Sequence, residues 1–404
     1  MTTPAIIGER VRTLRLAKSI SQMDLAKALT KGESEGNSLI SKIENGRQPV
    51  DAPTLDALSA ALGCTPEFLT REPMDFIATR PLLRAYADAP SRIVESVVAD
   101  NVLVAESVAR LRLKRIPDRI PIFDGDLSDD EGIERFAEEV RAAAGFAEGD
   151  VVGNAMRSAD RLGCVVLPMM SELGRHLGIS QRIDGSPFIR VSRPGSGDHL
   201  VPGDRQRFTV MHEVGHLALH SDLPPPETAD EARRIERQAH RFASAFLAPA
   251  DALLDDWSNL GSRVTLSVLA DLKATWGIAI KALVVRFQQL GIIGADQATS
   301  LYKQISKRGW NKAEPVQTTN EEPIWLARAI NRRLEPQAGA SAVEVAARLV
   351  SLSEEHLRGW IDWSPVGGGA DVMDLPRRAS GRGKARSGNG DRSATVLQLT
   401  SPRR

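Results

Sequence analysis

The chain has 404 residues, a length that predicts two or three domains. Its hydrophobic content of 42% and charged content of 26% are typical of a globular protein with buried cores. Lys plus Arg and Asp plus Glu both number 52, so the net charge indicates no particular partner. The chain has two cysteines, an N-terminus without the apolar core of a signal peptide, and no apolar run near 18 residues. These features exclude disulfide-rich secreted proteins and membrane-spanning proteins. We therefore expect a cytoplasmic protein.

Residues 1–75 carry apolar residues at helical spacing, separated by helix start and stop signals. Ser21 is a candidate N-cap, Gly46 with Pro49 ends a third helix, and Gly63 ends a further one. The pattern predicts a bundle of four or five short helices.

This bundle resembles the helix-turn-helix domain of the XRE family, which includes Cro and phage repressors. The resemblance implies that double-stranded DNA is a partner and that the helix around Asn37–Asn45 enters the major groove. The matching segments are Ile7-Gly8, Val11, Leu14-Arg15, Ile20-Ser21-Gln22, Leu25-Ala26, Ile40–Gly46, Pro49, Leu55, Leu58 and Leu62-Gly63. The residues implied to contact bases or phosphates are Gln22, Asn37, Ser38, Ser41, Lys42 and Arg47.

The turn between Ala26 and Ile40 departs from the family pattern. It is longer than usual and carries Glu33 and Glu35, and the domain as a whole is not basic. We therefore expect modest non-specific DNA affinity. The alternative is a small bundle used for protein contact or dimerisation.

Residues 76–120 are predicted to form a helical connector. A helix-period stripe of apolar residues runs from Val94 to Leu113 and ends before Ile116-Pro117. This helix either packs on one of the domains or dimerises the protein. The second alternative would fit a homodimer on a two-fold operator.

Residues 121–315 are predicted to form an α+β domain. Helices are expected at Glu131–Ala144 and Val151–Leu162, and strands at Cys164–Met169 and Phe188–Val191, with a turn at Asp184-Gly185. A further helix starts near Arg205 and contains the run from His212 to His216, an H-E-x-x-H pattern. A small sheet followed by such a helix is the usual layout of a zincin.

The H-E-x-x-H pattern predicts a metal site. Residues four apart lie on one helix face, about 6 Å apart along the axis, so the imidazoles of His212 and His216 can share one Zn²⁺. Glu213 can reach a water beside the metal without ligating it, which is where a general base belongs. The alternative is a helix that carries two histidines and a glutamate by chance. The next helix, Glu227–Leu247, offers Glu236 as the missing third ligand.

This half of the chain resembles the ImmA/IrrE family of metallopeptidases. The resemblance implies that His212, His216 and Glu236 bind Zn²⁺, that Glu213 is the catalytic base, and that the substrate is a protein. The matching segments are Gly185–Val191, Arg205–Thr209, His212–His216, Leu219-His220, Glu236, Ala239, Phe242-Ala243, Phe246-Leu247 and Pro249.

Two further histidines lie near this pattern. His220 is about 12 Å from His212 along the helix axis, so we expect it to pack against or orient a neighbour rather than share the metal. His240 follows Glu236 by four residues, where the family commonly has Asn, and we expect it beside the ligands rather than among them.

The C-terminal part is predicted to be helical and then disordered. Three short helices in residues 316–365 (Trp325–Leu334, Ala342–Leu349 and Glu354–Trp360) would form an accessory bundle. Residues 366–404 are rich in Arg, Gly and Ser and predict a disordered basic tail, either inert or adding electrostatic affinity for nucleic acid. The fold class expected is mainly α and multidomain, with an N-terminal helix-turn-helix bundle, an α+β zincin-like domain, and C-terminal helices.

Three functions follow from these features. The first is a DNA-binding transcriptional regulator with a zinc-dependent peptidase domain, which would cleave a helix-turn-helix repressor, or regulate itself, in a stress, DNA-damage or prophage response. The second is a non-catalytic transcription factor, such as a prophage repressor or an antitoxin-like protein, whose zinc domain is a sensor or scaffold. The third is a peptidase whose first domain recognises only protein.

Overall fold

The computed structural model describes residues 3–29, 36–81, 91–169, 177–194, 201–334 and 339–364, with backbone alone at residues 36 and 37. Within these residues the fold is mainly helical with one three-stranded sheet, which confirms the expected class. None of the described helices is both long enough and apolar enough to cross a membrane. The acidic turn with Glu33 and Glu35 and the tail at 366–404 lie outside the described residues.

The N-terminal bundle has five helices around a core that includes Val11, Leu14 and Ile40. Ser21 caps the second helix, since its hydroxyl accepts from the amide of Asp24 at 3.0 Å. The helices are α1 (Pro4–Ala17), α2 (Gln22–Leu29), α3 (Gly36–Glu44), α4 (Ala52–Leu62) and α5 (Pro66–Thr70).

The connector helix α6 (Ser91–Arg110) packs inside the chain. It lies against α1, and Leu103 and Val104 belong to the core of the N-terminal bundle. Arg10 of α1 donates to both oxygens of Glu106, at 2.6 and 2.7 Å, in a buried ion pair. The packing alternative for this helix is therefore confirmed, and dimerisation of the protein stays a prediction.

The sheet has strand order β1-β3-β2, with β1 (Val165–Pro168) parallel and β2 (Gly178–Ile183) antiparallel to β3 (Ser186–Val191). Asp184 and Gly185 form the tight turn between β2 and β3, with φ of 46° and 73°. The strand β2 was not predicted. The turn itself was predicted and is confirmed.

Both faces of the sheet are covered. Val166 and Ile189 pack with the helices of the α+β domain, whereas Val165 and Phe188 pack with the N-terminal bundle and α6. This alternation follows from the two-residue period of a strand. The sheet is therefore the layer through which the two halves of the chain contact each other.

The α+β domain places most of its helices on one side of the sheet. The predicted helix at Val151–Leu162 is shorter than expected and begins at Ala155, because the Asn154 side chain caps it. The helices are α7 (Asp130–Ala143), α8 (Ala155–Arg161), α9 (Gly203–Leu219), α10 (Ala229–Leu247), α11 (Ala250–Asn259), α12 (Leu266–Trp276), α13 (Ile280–Gln289) and α14 (Ala295–Lys307).

The C-terminal helices α15 (Trp325–Arg333), α16 (Ala342–Val350) and α17 (Glu354–Ile361) agree with prediction and pack on the N-terminal bundle. The amide of Ser353 donates to the carbonyl of Gly63 at 2.9 Å, and Cys64 forms an antiparallel bridge with Leu352. The hydrophobic core of the N-terminal bundle therefore includes the accessory helices. The domain boundaries at 75, 120, 315 and 365 stay predictions.

A buried polar cluster ties α6, β3 and α17 together. Asp100 accepts from Arg190 at 2.6 Å, from His356 at 2.9 Å and from the indole of Trp360 at 3.0 Å. Burial alone would raise the pKa of Asp100, but Arg190 and His356 outweigh it and lower the pKa to about 2. The carboxylate is thus charged and fully paired.

We predict that Asp100→Asn lowers the free energy of unfolding by about 3–5 kcal/mol, because Arg190 is left as a buried, unpaired charge. The matched control is Glu95→Gln, at an exposed position of the same helix. Because folding lowers the pKa of Asp100 from 3.8 to about 2, its contribution is present above pH 4 and is lost as the pH falls through 2. Urea unfolding of both variants at pH 7 measures the loss, and equal stability of the two would contradict it.

Candidate metal centre and nucleic-acid surface

The packing of α9 on α10 builds the metal site. α9 presents His212 and His216 one turn apart, and α10 presents Glu236 opposite them. Gly215 allows this close approach, since a Cβ there would lie 2.8 Å from the ring of Phe242 on α10. The start of α10 is fixed by a capping box between Thr228 and Glu231.

The three predicted ligands lie together and are buried. Nε2 of His212 lies 3.0 Å from Nε2 of His216, and the two nitrogens lie 3.4 and 3.3 Å from the carboxylate oxygens of Glu236. A tetrahedral zinc with bonds of about 2.0–2.1 Å separates its ligand atoms by about 3.3 Å. The donor set and its spacing therefore fit Zn²⁺ with one coordination position left open. Among the described residues, no other group of three His, Cys, Asp or Glu meets this spacing.

The charges of the three ligands also suit a cation. Burial lowers the pKa of His212 to about 3, so its imidazole is neutral and has a lone pair to offer. Burial alone would raise the pKa of Glu236, but hydrogen bonds from His212 and His216 outweigh it and lower the pKa well below its usual range. Imidazole nitrogens and carboxylate oxygens are typical zinc ligands.

A chain of hydrogen bonds behind His216 fixes its orientation. With Nε2 toward the metal position, its Nδ1 donates to Nδ1 of His220 at 3.0 Å. Nε2 of His220 then donates to Oε1 of Gln238 at 3.1 Å, and Nε2 of Gln238 donates to the carbonyl of Leu127 at 2.7 Å. His220 thus orients a neighbour, as predicted. Gln238 was not predicted.

Glu213 lies beside the ligands but outside the metal group. The hydroxyl of Ser180 on β2 donates to its Oε2 at 2.7 Å. Burial raises the pKa of Glu213 to about 7. A carboxylate with a pKa near neutrality, held in one orientation, has the properties of a general base. Ser180 was missed because the strand that carries it was missed.

His240 lies next to the ligands. Its ring centroid is 4.6 Å from that of His212 and 5.4 Å from that of Phe208. It does not belong to the three-residue metal group. This position agrees with the expectation of a neighbour rather than a ligand.

A cavity of about 150 Å³ lies beside two of the three ligands, His216 and Glu236. His216 and Glu236 form its inner wall, and Pro224–Pro226 forms another side. Arg182 of β2 and residues Thr79–Pro81 of the connector complete the lining. The contribution of the connector to this cavity was not foreseen from the sequence.

The outer face of α3 carries three of the six predicted DNA contacts, Ser38, Ser41 and Lys42. Ser38, Lys42 and Asn45 are exposed and Ser41 is half-buried, while Ile40 on the other side is in the core. Positions 38, 41 and 42 share one helix face. Arg47 is exposed just beyond the helix, and the side chain of Asn37 lies outside the described part of the chain.

Gln22 is engaged within the bundle. Its side-chain amide donates to Glu44 at 2.6 Å, and Glu44 also accepts from Arg15 at 2.5 Å. This contact fixes the start of α2 against the end of α3. The DNA-binding roles of Gln22, Arg47 and the α3 residues stay predictions, as does the catalytic role of Glu213.

We predict that Gln238→Leu lowers the zinc affinity of the chain by about 10–100-fold, because His220 loses its acceptor and His216 loses its fixed orientation. The control is Arg237→Ala, an exposed neighbour on the same helix. Competition with a chromophoric zinc chelator measures both constants. Unchanged affinity in Gln238→Leu would show that the hydrogen-bond chain does not support a metal.

Comparison with known protein families gives two matches. Residues 11–69 match the helix-turn-helix family model, and residues 159–288 match the model of the IrrE N-terminal-like domain. The second range contains the three ligands, Glu213 and Ser180. No curated protein and no solved structure matches the chain. The chain therefore joins an XRE-type helix-turn-helix domain to an ImmA/IrrE-like, metallopeptidase-type domain.

Proposed function

We propose that this protein is a DNA-binding regulator whose second domain is a zinc-dependent peptidase. The observation that carries the proposal is the buried group of His212, His216 and Glu236, with Glu213 held beside it by Ser180. A zinc ion bound by the three ligands would polarise the substrate carbonyl and acidify water. Glu213 would take a proton from the attacking water and pass it to the leaving amide nitrogen.

The substrate class proposed is a protein segment in extended conformation. The cavity beside the ligands is flanked by β2, the strand at the edge of the sheet, and such edges bind extended peptides through main-chain hydrogen bonds. A helix-turn-helix repressor cleaved in a stress, DNA-damage or prophage response is the target we propose. A homodimer on a two-fold operator is part of the same proposal.

We predict that Glu213→Gln keeps zinc but lowers hydrolysis of casein, used as an unstructured protein, by about 10²–10⁴-fold. Glutamine has nearly the same shape but cannot accept the proton. The control is Glu139→Gln, an exposed position on α7, which should leave the rate unchanged. Zinc is measured by metal analysis of both proteins.

Equal rates in Glu213→Gln and wild type would contradict the peptidase mechanism. Bound zinc without hydrolysis of casein, of candidate repressors or of the chain itself would favour the non-catalytic regulator. If wild-type protein binds no zinc, both the zinc-dependent peptidase and the regulator with a zinc-binding sensor domain are excluded.

We also predict that Lys42→Ala weakens binding to DNA from the protein's own promoter by about fivefold. The slope of the logarithm of the binding constant against the logarithm of the salt concentration should become shallower by about one, which corresponds to one released counterion. Lys42 is exposed on the outer face of α3. Lys281→Ala, an exposed change on α13, is the control. Electrophoretic mobility shifts at several salt concentrations measure both. If wild type shows no shift at low salt, the first domain recognises something other than DNA.

A further inference from the structure

The connector adds main-chain hydrogen bonds to the outer edge of β2. The amide of Thr79 donates to the carbonyl of Arg182, and the amide of Asp184 donates to the carbonyl of Ile77, both at 2.8 Å. Two side chains complete the pairing: Asp184 accepts from the amide of Ile77 at 2.8 Å, and Thr79 accepts from the amide of Arg182 at 2.9 Å. Ala78 and Ile183 form an antiparallel bridge.

The paired segment runs toward the metal site. Ala78 is level with Ile183, and the amide of Thr79 pairs with Arg182, two residues from Ser180 on β2. Ser180 is the residue that donates to Glu213. Thr79, Arg80 and Pro81 line the same cavity as His216 and Glu236. The connector therefore pairs with the outer edge of β2 and also lines the cavity that contains His216 and Glu236.

Residues 77–79 are held to β2 by four hydrogen bonds, whereas Pro81 at the end of the segment is buried. Residues 77–80 are exposed, and Ile77 keeps 82% of its surface accessible to solvent. The exposed hydrogen bonds of residues 77–79 open at low free-energy cost. An incoming peptide that makes the same bonds can therefore displace it.

The chain just before the segment is firmly attached to the DNA-binding half. Arg10 donates to the carbonyls of Arg71 and Glu72 at 2.9 Å, and Arg110 donates to Glu72 at 3.1 Å. Ile77 follows five residues later. A short tether of this kind gives the segment an effective concentration in the millimolar range at β2, so it competes strongly with a peptide in solution.

We propose that Ile77–Pro81 is an intramolecular occupant of the peptide-binding edge, which a substrate must displace before it reaches Glu213. The inference rests on the proposed function in one respect, that this site binds extended peptide. It adds that the connector of the DNA-binding domain restrains the peptidase site within the same chain.

The test uses the full chain, zinc-loaded and carrying Glu213→Gln so that hydrolysis cannot consume the probe. The probe is a fluorescent synthetic peptide with the sequence of residues 72–81. Thr79→Pro removes the amide that pairs with Arg182, and Asp184→Gly independently removes the acceptor of the Ile77 amide at a position whose positive φ suits glycine. Ile77→Ala is the control, because its side chain is exposed and its main-chain bonds remain.

We expect both releasing variants to bind the peptide about five- to tenfold more tightly than the Glu213→Gln parent and the control. Hydrogen exchange at the amide of residue 184 should be faster in Thr79→Pro and should slow again when the peptide is added. Equal peptide affinity in all four proteins, or an amide at 184 that is already unprotected in the parent, would overturn the proposal. Failure of the peptidase function is recognised separately, by the absence of zinc or of hydrolysis in protein with Glu213 intact.

Discussion

The close contact between α9 and α10 is the constraint on which the candidate metal site depends. Gly215 leaves the space that the ring of Phe242 fills, and this brings Glu236 within reach of both histidines. The contact is mostly apolar, with Val214 and Ala243 fully buried nearby. Burial supplies the rigidity that three ligands need, and it also lowers the pKa of His212 so that its imidazole is neutral. The helix pair thus explains both the geometry and the electrostatics of the site.

The sheet connects the α9–α10 pair to the rest of the molecule. One face supports α9, and the other face packs on α6, which in turn packs on α1. The side chain of Arg190 on β3 donates a hydrogen bond to Asp100 of α6. The strand next to β2 is therefore bonded directly to the connector helix. Through Ile77–Thr79 the connector also pairs with the outer edge of β2. The DNA-binding half therefore touches the metal-site half on a sheet face and on a strand edge.

The parts of the fold with strong local patterns were predictable. The H-E-x-x-H spacing indicated His212 and His216, and the following helix indicated Glu236. The strand β2 was missed because Ser180, Gln181 and Arg182 form a polar run in the middle of a short segment. The Asp184-Gly185 turn was a signal that could have found it, since a two-residue turn joins two strands.

Other features depend on contacts between distant segments and have no local signal. Gln238 lies 18 residues from His220, and its role follows from how α10 rotates against α9. The pairing of Thr79 with Arg182 joins residues more than 100 positions apart. The hydrogen bond from Gln22 to Glu44 likewise forms only when α2 and α3 are packed together in the bundle. Such interactions follow from the tertiary fold, whereas the motifs follow from helix geometry.

The central claim is that His212, His216 and Glu236 hold a zinc ion with one position open. X-ray absorption at the zinc edge on purified protein tests it most directly. The account predicts a first shell of two imidazole nitrogens and one or two further oxygens at about 2.0–2.2 Å, with no sulfur. Glu236→Ala should remove an oxygen from that shell. A shell containing cysteine sulfur, a shell unchanged in Glu236→Ala, or protein that binds no zinc would contradict the account.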